Sequence, residues 1–207
     1  MEFLVSAVVT LFIVVDPIAL APVFITLTSR MTVGQRLYVA RRSVLVAAGI
    51  MVVFALVGRP LLKILGISLS AFYIAGGVLL FLIAIDMLFA RPSRTRETPE
   101  EAAEGLTAGD VSVFPLAIPI MSGPGSMATI VLFISQAGNN PARIGAVGLA
   151  MAIALASSYT VMRMSTRLMA VLRVTGVAVI GRVMGVILAA FAVQFVINGV
   201  TAAFHIG

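Results

Sequence analysis

Two proline pairs with one spacing mark where this chain could do chemistry. Pro17-Ile18-Ala19-Leu20-Ala21-Pro22 and Pro119-Ile120-Met121-Ser122-Gly123-Pro124 both read Pro-Ile-x-x-x-Pro. Each lies inside a long apolar stretch, and each stretch opens one half of the chain. Proline lacks a backbone N–H and clashes with the carbonyl four residues back, so paired prolines break a helix. In hydrocarbon the freed backbone groups have no water to bond. Such a break persists where it lines a cavity, a ligand or a protein interior, and matched breaks in two halves point to a ligand site between them.

The second break is the richer one. Phe114 to Ser126 holds Pro115, Pro119 and Pro124 with Gly123 and Gly125. A helix restarting near Gly125 would aim its free N–H groups and its positive dipole end into the break. Proline suits a first turn and glycine permits close backbone approach. Ser122, Ser126 and Thr129 add hydroxyls, so the segment reads as a receptor for a carboxylate or another anion. A kinked helix satisfied by its neighbours is the structural alternative.

The first break carries Asp16 directly before Pro17. A carboxylate in hydrocarbon is costly, and such residues are functional candidates. Asp16 could bind a cation or a substrate ammonium, or take up a proton after burial raises its pKa. It could equally cap the restarted half-helix. Asp86 is the other acidic residue inside a span, with Arg182 expected at similar depth, so the two are expected to approach each other. Gln194 and Asn198 lie one turn apart and share a helix face. They either line the cavity or bond between helices. Gly181 with Gly185, and Gly145 with Gly148, are expected to mark close helix packing.

Long apolar elements must position these residues. The chain has 207 residues, 61% hydrophobic and 11% charged, with mean hydropathy +1.16. That composition is of an integral membrane protein. Six spans are expected: Phe3–Ser29, Ser43–Gly58, Leu69–Ala90, Val111–Gln136, Ile144–Met162 and Ile180–Phe204. Residues 60–68 and 165–175 are expected as short interfacial segments. The apolar run from Phe3 is too long for a signal peptide, and Glu2 replaces the usual basic start, so it reads as a retained span. All 207 residues form one transmembrane domain, with repeat one 1–90, a cytoplasmic linker 91–110 and repeat two 111–207.

Basic residues set the orientation. With the N-terminus outside, eleven of the 14 Arg and Lys fall on the inner side, against Arg59, Lys63 and Arg143 outside. Both termini are then external (periplasmic) at an inner membrane. Three spans before the linker and three after it make the repeat inverted. Gly77-Val78-Leu79-Leu80 pairs with Gly185-Val186-Ile187-Leu188, which sets Asp86 opposite Gln194. The fold class is thus an all-α membrane protein of six helices as a 3+3 inverted repeat, the first and fourth broken.

The net charge of +6 is explained by that orientation, so no nucleic-acid partner is expected. The chain has no cysteine and only one histidine, His205, a tail residue. No metal-ligand spacing, no cofactor motif and no aspartyl-protease Gly-x-Gly-Asp signature is present, so no enzyme is expected.

Asp16-Pro17 with Pro22, Ala84-Ile85-Asp86-Met87-Leu88, Pro115-Leu116-Ala117-Ile118-Pro119 with Gly123-Pro124-Gly125, and Ala192-Val193-Gln194 with Asn198-Gly199 resemble the MarC/SnatA family of membrane proteins. The resemblance covers essentially the whole chain. It implies six spans and, from some members, transport of small neutral amino acids such as glycine and alanine with proton or cation coupling. Many first spans of that family carry a glycine between the prolines, where this chain has Ile18-Ala19-Leu20-Ala21.

The combined expectation is a secondary transporter for a small zwitterion. Ser122 to Ser126 would hold the carboxylate and Asp16 the ammonium or the coupling proton or sodium. Asp86 is a second candidate for the coupling ion. Rival readings are an exporter or channel for another small solute, drugs included, and a non-transporting sensor. The lipid bilayer is the expected surrounding, and a homo-oligomer is allowed.

Overall fold

The computed structural model describes residues 1–89 and 110–204. The linker from 91 to 109 and the tail residue His205 lie outside the described residues. Every regular element is a helix: α1 Glu2–Val15, α2 Leu20–Leu27, α3 Val33–Ile64, α4 Leu69–Leu88, α5 Ser112–Met121, α6 Pro124–Ala137 and α7 Pro141–Phe204. Four are long and apolar enough to cross a membrane once α1 and α2 are joined as Glu2–Leu27. There are five if α5 and α6, bent by 53°, count as one span.

Local signals set the ends. Thr32 and Gln35 form a capping box at the start of α3, with Gln35 Oε1 accepting from Thr32 N at 2.8 Å. Gly66, at φ 69°, ends α3 in a left-handed turn, and Ile67 N–H reaches back to the Leu62 carbonyl. Ser68 Oγ caps α4 by accepting from Ala71 N. Asn140 Oδ1 does the same for Ala142 and Arg143 at the start of α7, where Pro141 takes the first turn.

Two boundaries differ from the sequence expectation. The second apolar stretch is part of a 32-residue helix. Capping at Thr32 and the run of helix-compatible residues from Gly34 to Arg42 carry α3 well beyond the apolar Ser43–Gly58. Pro60 stays within α3, and 60–64 is helical. The fifth and sixth stretches lie in one 64-residue element, broken at Arg173 (φ 53°, ψ 179°), and 165–172 is helical too. A straight helix of that length would run about 96 Å, roughly three times the hydrocarbon thickness.

The core lies around α1, α4 and α6. Leu11, Leu80, Ile83, Ile130, Leu132 and Phe133 are fully buried, while α3 and α7 expose their outer apolar faces. Phe3 meets Phe133 edge-on at 5.7 Å, and Val14 reaches Gly125, so α1 runs antiparallel to α6.

The second limb of α7 packs antiparallel on α4 through glycines. A methyl group on Gly77 would lie 2.7 Å from the Ala192 carbonyl oxygen and 3.0 Å from Val196 N. One on Gly185 would lie 3.0 Å from the Ala84 oxygen and 3.1 Å from Leu88 N. A shift of 108 residues carries Gly77, Ala84 and Leu88 onto Gly185, Ala192 and Val196. One contact is therefore made twice with the helices exchanged. Gly145, Gly148 and Gly181 make no such contact within the chain: no heavy atom lies within 4 Å of an added methyl. Gly145 and Gly148 are also exposed, because the close seam is α4 against the later part of α7.

Candidate functional site

The first break forms as its residues require. Asp16 ends α1 in the left-handed region (φ 50°, ψ 64°), with its N–H donating to the Phe12 carbonyl. Pro17 cannot continue the helix. Ala19 N–H donates to Asp16 Oδ1 at 3.3 Å, so the carboxylate closes the turn that leads into α2. Pro22 falls in the first turn of α2, where a missing N–H costs nothing. Asp16 is only 6% exposed. The capping role is thus present.

The second break is wider. α5 turns extended at Phe114 and at Ile118, each before a cis proline, and its bonds run from i to i+5. Ser122 N–H and Oγ both donate to the Ala117 carbonyl, at 2.9 and 2.8 Å. Ser126 Oγ donates to the Met121 carbonyl at 2.9 Å and Thr129 Oγ1 to the Gly125 carbonyl at 2.7 Å. All three side chains are buried. Their hydroxyl protons serve carbonyls of their own segment, so they fix the break rather than offer donors to a ligand. The first-turn N–H groups of α6, such as Gly125 and Ser126, have no acceptor in the preceding turn of a helix and are the donors that an anion could use.

The glycines are required. A methyl on Gly123 would fall 2.2 Å from the Pro119 carbonyl oxygen. One on Gly125 would fall 2.5 Å from Ile83 Cδ1 and 3.2 Å from Val14 Cγ1. Gly125 therefore sits between α4 and the end of α1. This contact brings the two breaks together: Val14 is two residues before Asp16, and Gly125 is the second residue of α6. An apolar cavity of about 260 Å³ lies beside Pro124, bounded by Gly58, Phe72, Met127 and Val131.

The remaining candidates are placed elsewhere. Asp86 is half-buried and Arg182 is exposed; the ion pair found among the described residues, Arg42 with Asp110, involves neither. Arg182 lies off the Gly185–Leu188–Ala192 stripe that meets α4. Gln194 and Asn198 do share a face, with Gln194 Nε2 donating to Asn198 Oδ1 at 2.9 Å. Both are exposed on the outer side of α7, so they do not line the buried breaks. Among the described residues no three of His, Cys, Asp and Glu gather as a metal set.

Two features escaped the sequence reading. Thr10 is fully buried and its hydroxyl has no hydrogen-bond partner among the described residues. It is one turn before Val14, on the α1 face that meets α6, opposite the Gly125–Thr129 face. A lone threonine in an apolar run was the available signal. The other is an ion pair between α3 and the residues just before α5: Arg42 Nη1 lies 2.7 Å from Asp110 Oδ2. The Ser112 hydroxyl and N–H also donate to Asp110. The Ser112 hydroxyl acts most strongly and burial opposes it; with the Ser112 N–H and the Arg42 charge added, this carboxyl is held below its usual pKa.

Residues 1–204 match the description of the MarC family integral membrane protein. A UPF0056 membrane protein of Methanocaldococcus jannaschii is 33% identical over 98% of both chains. The membrane protein YvbG of Bacillus subtilis is 33% identical over 99% of this chain and 97% of its own. YhcE of Escherichia coli is 31% identical over 94% of this chain and 90% of its own. No solved structure matches. With buried proline breaks, several apolar helices and full-length likeness to these relatives, this chain belongs to the MarC family of integral membrane proteins.

Proposed function

We propose that this protein is a secondary transporter for a small neutral amino acid of the glycine or alanine type. One observation supports the reading: Val14, two residues before the buried Asp16 carboxyl, packs against Gly125 at the N-terminus of α6. A zwitterion needs both, an acceptor for its ammonium and donors for its carboxylate. In this reading Asp16 takes the ammonium or the coupling proton or sodium, and the N–H groups at Gly125 and Ser126 take the carboxylate. Pro17, Pro22, Pro119 and Pro124 hold the breaks open.

The proposed architecture is six spans in two inverted halves that rock about this site. The doubled Gly77–Ala192 and Gly185–Ala84 contact supports the inversion. The break at Arg173 supports dividing α7 into two spans, each limb exceeding the roughly 20 residues a crossing needs. Both termini are placed outside an inner membrane on the positive-inside argument.

The test is counterflow of labelled glycine and alanine in proteoliposomes of the purified protein, beside empty liposomes. Saturable counterflow that unlabelled amino acid competes away is the expected result. Unsaturable flux would favour a channel. Binding without flux would favour a sensor, and neither across a panel of neutral amino acids would remove the substrate class.

A further inference from the structure

We propose that a groove between α3, the end of α6 and the start of α7 holds one anionic phospholipid. The groove has a volume of about 780 Å³, within the roughly 300–1,000 Å³ of sites for small organic ligands. Leu56, Ile144 and Met151 give it apolar walls. Gly148 forms part of its lining, and no atom lies within 4 Å of a methyl added there, so the space is real at that point. Such walls suit an acyl chain.

The rim supplies the charge. Arg59 and Lys63 border the groove one turn apart on α3. Positive-inside sorting leaves only three basic residues at this end of the molecule, and two of them stand here. The third, Arg143, is engaged with the Phe3 ring at 5.5 Å and the Gln136 carbonyl. Arg59 uses one N–H on the Gly138 carbonyl at 3.1 Å and keeps its other donors. Lys63 makes no hydrogen bond or ion pair among the described residues. Two cations beside a hydrocarbon groove complement a phosphate with attached chains. A zwitterionic lipid brings its own cation, which competes with them. This inference does not depend on the transport reading.

The purified full-length protein in mild detergent is titrated with dioleoyl phosphatidylglycerol and, separately, with dioleoyl phosphatidylcholine, and bound lipid is counted by native mass spectrometry. One phosphatidylglycerol retained in clear preference to phosphatidylcholine is expected. Lys63→Gln should weaken retention about fivefold and the Arg59→Gln/Lys63→Gln pair about 25-fold, taking one similar charge contribution per cation. Gly148→Leu fills the groove without changing charge and should abolish the preference. Arg163→Gln/Arg167→Gln removes equal charge elsewhere and should leave it intact. Equal retention of both lipids would overturn the proposal, as would loss in the Arg163/Arg167 control equal to that in the Arg59/Lys63 pair. A dimer mass abolished by Gly148→Leu would put a second copy in the groove and overturn it too. Lys63→Gln touches no bond of the fold, so it reads the charge even if Arg59→Gln disturbs the end of α6.

Discussion

Asp16 is asked to do two things at once. One oxygen closes the turn into α2 through Ala19 N–H, so the carboxylate is held in place by the backbone that it terminates. Asp16→Asn keeps a carbonyl oxygen for that turn while removing the titratable group. The expected outcome is a folded protein whose amino acid uptake no longer varies with pH or sodium, and uptake that stays pH-dependent in this variant would remove Asp16 from coupling. Ser126 makes the contrasting case. Its hydroxyl braces the Met121 carbonyl inside the break, so Ser126→Ala should cost about 0.5–1.5 kcal/mol of stability. The substrate KM should change little. A large KM change with an unchanged melting temperature would put the hydroxyl on the ligand instead. Gly123→Ala meets backbone at 2.2 Å, which no side-chain rotation relieves. It should lose about 1–3 kcal/mol by overpacking, read as a lowered melting temperature.

Between elements, the seam of α4 with the later limb of α7 depends on absent side chains. Gly77 and Gly185 face backbone carbonyls across that seam, so close approach gives dispersion contacts that lipid does not supply. Gly77→Ala and Gly185→Ala should destabilise by comparable amounts, because their contacts are equivalent under the 108-residue shift. Gly181→Ala meets open space and should be neutral or raise stability by up to about 1 kcal/mol through helix propensity. Thermal melts of the three variants in one detergent decide the matter; equal losses in all three would break the argument. The junction of α3 with α5 is electrostatic. Asp110 has its pKa held down in the folded protein, so its contribution is present above the ordinary value of 3.8 and is lost as pH falls through the lower folded value. Asp110→Asn should melt lower than the parent near neutral pH, and that difference should shrink as the pH falls through this range.

For the whole molecule, orientation and function separate cleanly as tests. The chain has no cysteine, so single cysteines can be introduced without background. Glu2→Cys and Phe204→Cys should react with an impermeant maleimide from outside intact cells. Gly34→Cys, in open space at the start of α3, should react only after permeabilisation. Reaction of Gly34→Cys in intact cells would invert the proposed topology. Either result leaves the buried meeting of the two breaks in place, since that is a matter of packing and not of direction.

The sequence by itself determined that the chain is helical and built for a membrane, and that its helices break at the two proline pairs. Hydropathy and proline act locally: Pro17, Pro22, Pro119 and Pro124 remove N–H groups whatever surrounds them. It also carried the pairing of Gly77 with Gly185, because a repeated packing seam repeats its small residues. Tertiary structure alone decided which hydroxyls face backbone and which glycines face a neighbour. Ser122 and Ser126 turned inward to the Ala117 and Met121 carbonyls. Gly148 faced open space while Gly185 faced Ala84. Gln194 and Asn198 turned outward, and Val14 came to rest on Gly125. Residue type states what a side chain can donate, accept or leave empty. What stands opposite is set by helices far apart in the chain, and half a turn of helix rotation exchanges a buried face for an exposed one.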